Sequence, residues 1–147
     1  MRAGKLAWSI LLFVLVVPST AFAAPRTYLW GQLSGSEGIA FHKQANNISP
    51  FHAVVPVRCD HIDGTSSIVS VSVSGDEVPN MLVERGQVDA EFTAWVDGLL
   101  GDANIAVIGR IRGNRGAFGV VVTANFPDSE CVGAILFDRV RRGARLP

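Results

Sequence analysis

Three histidines, two cysteines and a late group of arginines are the residues with most chemistry to offer in this 147-residue chain. His42, His52 and His61 lie between positions 42 and 63, together with Asp60 and Asp63. Imidazole with carboxylate suits zinc or copper, and a fold that gathered the five at one end would make a metal site. Their spacing matches no short ligand pattern, such as two histidines alternating on one strand, so the plainer expectation is scattered surface histidines.

The arginines fall in two groups: Arg110, Arg112 and Arg115 around one glycine turn, then Arg139, Arg141, Arg142 and Arg145. If Arg110 and Arg112 share a strand face, they form a positive stripe able to meet a carboxylate or phosphate. The expectation is a solvated face neutralised by Asp128, Glu130 and Asp138. Hydrolytic chemistry finds no support. Serines are plentiful, but no G-x-S-x-G elbow occurs. The carboxylates Glu84, Asp89 and Glu91 carry no mark beyond their acidity.

Gly31–Gly38 and Gly109–Gly116 share the form G-x-[LI]-x-G-x-x-G. Neither ends in G-K-[ST] or opens a helix, so both read as hairpin turns rather than phosphate loops. The aromatics are too dispersed for a sugar-stacking platform and are expected in the core. Asn47-Ile48-Ser49 is formally a glycosylation acceptor, discounted because Pro50 follows it and the leader looks bacterial.

The elements that must position these residues are β-type throughout. Short apolar runs separated by glycine begin at Arg26–Leu33 and Gly38–Lys43, with Gln44–Pro50 expected as a loop. Ala53–Cys59 follows, its Pro56 predicting an edge or a bulge. In Ser67–Ser74 three valines alternate with three serines, the signature of a strand with one buried and one wet face. Asn104–Arg112 and Ala117–Asn125 flank Gly113-Asn114-Arg115-Gly116 as a hairpin, and Cys131–Val140 closes the domain. Residues 88–100 fit helical spacing and strand alternation alike; a strand is favoured because its surroundings are β. The fold expectation is a single antiparallel β-sandwich or small barrel of about eight or nine strands.

The N-terminus reads as an export signal. Arg2 and Lys5 precede the apolar run Ile10–Val17, and Ala21-Phe22-Ala23 offers small residues for cleavage before Ala24. Residues 1–23 are therefore expected to leave and 24–147 to form one domain. The remaining part keeps 11 of 13 basic residues and all 13 acidic ones, a net charge of −2. That balance gives no overall field to attract nucleic acid, and no second apolar stretch is long enough to span a membrane. Cys59 and Cys131, in an oxidising compartment, are expected to pair rather than act as reactive or metal-binding thiols. The closed loop of roughly 70 residues contributes about 4 kcal/mol by chain entropy.

Several of these residues recur in a recognisable order. Gly31, Leu33 and Ser34 end a first strand. Cys59, Asp63 and Gly64 come mid-chain, and Ile108, Gly109 and Arg110 open a glycine hairpin through Gly113, Gly116 and Gly119. Cys131, Gly133, Phe137 and Arg141 mark the last strand. The pattern resembles a loosely defined group of exported bacterial proteins of unknown function. The resemblance implies a disulfide-bridged β-domain and brings no catalytic residues.

The leading functional expectation is a non-enzymatic exported module, periplasmic or secreted, without a cofactor. Its partner would be an extracellular or envelope protein. One alternative is a metal-binding protein or metal-dependent enzyme using His42, His52 and His61 with Asp60 or Asp63. Another is an inhibitor of an extracellular enzyme.

Overall fold

The computed structural model describes residues 27–143; the expected export signal lies outside them. Nine strands account for most of that length, and no helix occurs among the described residues. They are β1 Thr27–Ser34, β2 Glu37–Gln44, β3 Asn47–His61, β4 Ser66–Val73, β5 Met81–Leu82, β6 Gln87–Val96, β7 Gly101–Arg112, β8 Arg115–Phe126 and β9 Ser129–Arg142. All pair antiparallel in one sheet of order β4-β3-β2-β1-β9-β8-β7-β6, with β5 beside β3. The expected all-β class and strand number hold.

The two longest strands, β3 and β9, organise the sheet. They pair at one end, from Arg58↔Val132 to His61↔Ser129. Elsewhere they part to admit the β1–β2 hairpin, which pairs with β3 through Ala53 and Val54 and with β9 through Arg141 and Arg142. Cys59 and Cys131 face each other directly in the shared ladder and are bridged, with Cα atoms 4.0 Å apart. Gly133 sits where β9 crosses closest to β3. A methyl group there would meet the Pro56 carbonyl oxygen and lie 2.6 Å from Val57 Cγ2, so only glycine permits the approach. The far ends of the path also meet. Gly98, after β6, lies against Ser70 and Val71 of β4, and the Trp95 N–H donates to the Glu77 carboxylate. The sheet thus wraps one core as a partly open barrel.

Alternation decides what faces that core. Val71 and Val73 of β4, Ile105 and Val107 of β7, and Val120 and Val122 of β8 are fully or almost fully buried. At the centre Phe41 stacks on Trp30 at 6.0 Å and meets Phe118 at 4.9 Å, their rings tilted by 56°. Such tilted and offset pairs add to the apolar burial. Phe118 needs room, and Gly109 across the ladder supplies it: any side chain there would enter its ring.

Three sequence expectations change. Gln44–Pro50 is not a loop: Ala45 and Asn46 alone turn, Ala45 at φ 51°, and Asn47 opens β3. Ile48 is buried there between Lys43 of β2 and Met81 of β5, and its burial draws the polar stretch into the sheet. Pro56 meets the edge expectation locally, since it opposes Ser70 of β4 and has no ladder partner on its other side. It falls where β3 has left β2 and not yet met β9, so a residue without N–H is tolerated. Residues 87–96 form the favoured strand, whereas Asp97–Leu100 form a turn with Leu100 exposed at φ 54°. Trp95 and Tyr28, expected in the core, are 50% and 37% exposed.

Candidate functional site

The five proposed metal ligands separate into two places. His42 on β2 and His52 on β3 are diagonal neighbours on the outer face, since Ala40 pairs with His52. They border a pocket of about 210 Å³ with Leu29, Pro50, Phe51 and Ser74. His61 stands nine positions further along β3, about 30 Å away, where its Nε2 lies 3.1 Å from Ser67 Oγ. Among the described residues no three His, Cys, Asp or Glu side chains form a group that could hold a metal ion. The gathering that the metal alternative needs does not occur, because β3 holds its two histidines nine positions apart.

Asp60 and Asp63 have local work instead. Asp60 accepts from Ser66 Oγ and from Arg58 Nε at 2.9 Å. Those hydrogen bonds, Ser66's first, hold its carboxyl below the usual range. Asp63 accepts from Thr65 Oγ1 at 2.6 Å and from the Thr65 N–H at 2.9 Å, which lower its carboxyl likewise. Together they close the β3–β4 turn, where Gly64 takes φ 83°. The Ser67–His61 contact has the spacing of a nucleophile and its base. Both nearby carboxylates, however, are already engaged.

The arginines behave differently. The β7–β8 turn places Arg112 opposite Arg115, and the next ladder places Arg115 opposite Arg141. Three guanidinium groups therefore stand abreast on three adjacent strands. Arg110 is two residues along β7 on the same face. On β9 the register slips, so that Ala117 opposes both Asp138 and Arg139; such a bulge turns both residues outward. All five arginines are exposed. Arg142, at the strand end, lies 4.5 Å over the Tyr28 ring; Arg145 is outside the described residues.

The expected neutralisation is mostly missing. Of the three acidic residues, Asp138 alone is close, and its ion pair with Arg139 is long at 3.9 Å. Glu130 pairs with Asn125 and Asp60 near the opposite end of the strands. Asp128 follows β8 at the same place, and Asp102 begins β7 there. The strands run about 35 Å from this acidic end to the arginines. Near-neutral composition thus conceals two charged ends.

Residue alternation also leaves an apolar outer face beside the arginines. Ile108 of β7, Gly119 of β8 and Leu136 of β9 form one cross-strand row. Ile108 and Leu136 are 61% and 69% exposed. A depression of about 440 Å³ runs over this row, and a second of about 280 Å³ lies over Arg110, Arg112 and Arg115. Arg110 and Ala117 line both. Sequence reasoning set Arg139 and Arg141 in a separate group from Arg110, Arg112 and Arg115, and it missed this face. The available signal was that β7, β8 and β9 carry aliphatic residues at both alternating positions, as in Asn104–Arg112. Comparison with family models, curated proteins and solved structures finds no match to the chain.

Proposed function

We propose that the protein is an exported, non-enzymatic binding module whose ligand carries phosphate or carboxylate groups. The arginine row is the observation that carries this reading: Arg112, Arg115 and Arg141 abreast, with Arg110 and Arg139 beside them. Like charges directly opposite in a sheet lower stability, so the row has a cost that a bound anion offsets. Guanidinium groups suit the task because their planar forks grip carboxylate and phosphate with two hydrogen bonds. Export to the periplasm or the outside is supported by the leader at 1–23 and by a bridge suited to an oxidising compartment. The ligand would then sit on an envelope or extracellular partner.

Binding of pyrophosphate by calorimetry, and retention on phosphocellulose at pH 7, test the reading. The wild type is expected to be retained despite its near-zero net charge and to elute with moderate salt. Arg112→Gln/Arg115→Gln is expected to lose at least tenfold in pyrophosphate affinity, with a shallower salt dependence. Equal affinity in that variant, or no binding by the wild type, would overturn it.

A further inference from the structure

The two depressions are parts of one trough, and its lining has an order. Along β8 the outward positions run Arg115, Ala117, Gly119, Val121. Ala117 and Gly119 are the low floor. A methyl group added at Gly119 would find its nearest neighbour at 3.9 Å, so the floor is open to solvent above. Ile108 and Arg110 of β7 make one wall, and Leu136 and Asp138 of β9 the other. These strands are two spacings apart, about 10 Å, which leaves room between their side chains for one alkyl chain. The trough is apolar at Gly119 and cationic at Arg115.

We infer that this trough binds a single-chain anionic amphiphile, its aliphatic tail over Gly119 between Ile108 and Leu136 and its phosphate or carboxylate head at Arg110, Arg112 and Arg115. The inference rests on the anion-binding reading above and adds the tail. Charge complementarity places the head, and the row Ile108–Gly119–Leu136 places the tail. A flat anionic bilayer fits less well. Asp89 and Glu91 of β6 stand beside Ile108 and Ala106 on the same face and would press against lipid phosphates. A single chain along β8 is clear of Glu91 and has Asp89 on one side only, beyond Ile108.

Calorimetric titration with inorganic phosphate and with butyl, hexyl and octyl phosphate below their micelle concentrations separates the two readings. The wild type is expected to gain about threefold in affinity per added methylene, somewhat less than full burial gives. Gly119→Leu, which fills the trough, and Leu136→Ser, which lowers a wall, are each expected to flatten that dependence. Thermal unfolding verifies that each variant folds. Equal affinity for phosphate and octyl phosphate would overturn the tail site and leave the anion-binding reading standing. A chain-length dependence that survives in both folded variants would overturn it too. So would binding to phosphatidylglycerol vesicles without binding to octyl phosphate. Failure to bind any of the four phosphates would remove both readings.

Discussion

Removing the Cys59–Cys131 bridge should destabilise the domain by about 4–5 kcal/mol, and the size follows from the topology. The two residues are 72 apart in sequence. Closing so long a loop removes about 4 kcal/mol of chain entropy from the unfolded state at 25 °C. Both cysteines are also buried, at 5% and 2% exposure. Replacing both by alanine loses a little sulfur packing, on the order of 0.5–1 kcal/mol. For a domain of about 120 residues, the combined loss lowers the unfolding midpoint by about 15–20 °C. The assay is circular dichroism of the oxidised wild type and Cys59→Ala/Cys131→Ala, by heat and by urea. The urea series adds a second readout. An unfolded chain freed of its cross-link expands, so the dependence on denaturant should steepen as stability falls. A midpoint change under about 5 °C would refute the loop-closure reasoning. A large change with an unaltered urea slope would place the effect in the folded state instead.

Two further outcomes rest on other contacts. Gly133→Ala pushes a methyl group onto the Pro56 carbonyl and Val57 and should cost about 3 kcal/mol in urea unfolding. Gly119→Ala, on an open outer face, should be neutral or stabilise by a few tenths of a kcal/mol. Similar effects for the two would refute the close approach of β9 to β3. Asp60 and Asp63 both have lowered carboxyls. Their contribution is therefore present above the unfolded-state value near pH 4 and lost as pH falls through the lower folded values. Thermal midpoints measured from pH 6 down to pH 2 should fall less steeply in Asp60→Asn/Asp63→Asn than in the wild type; parallel curves would count against the turn hydrogen bonds.

The fold was legible wherever one residue's neighbours in sequence carried the information. The valine–serine alternation of β4 needs only a period of two, and Gly113-Asn114 marks its own hairpin. The bridge was legible because the chain has only two cysteines, and the expected oxidising compartment favours their pairing. Gln44–Pro50 was misread because its place is set by Ile48, whose burial depends on Met81, over thirty residues away. The arginine site was half legible for the same kind of reason. Arg110, Arg112 and Arg115 stand out as a local cluster, but Arg141 joins them only through the β8–β9 register. That register is shifted by a bulge at Ala117 that no local pattern announces. The histidines were grouped by number along the chain, and a strand of 15 residues held two of them far apart.

The separation of arginines from the acidic residues at the far end of the barrel has a consequence for motion. A body with almost no net charge drifts little in an electric field, yet one with opposite charges at its two ends feels a torque. Near an anionic surface the domain is therefore turned before it is pulled, arginines leading, once it comes within a screening length of about 8 Å at physiological salt. The arginine row then arrives already facing that surface, and orientation rather than speed is what the charges supply to the encounter.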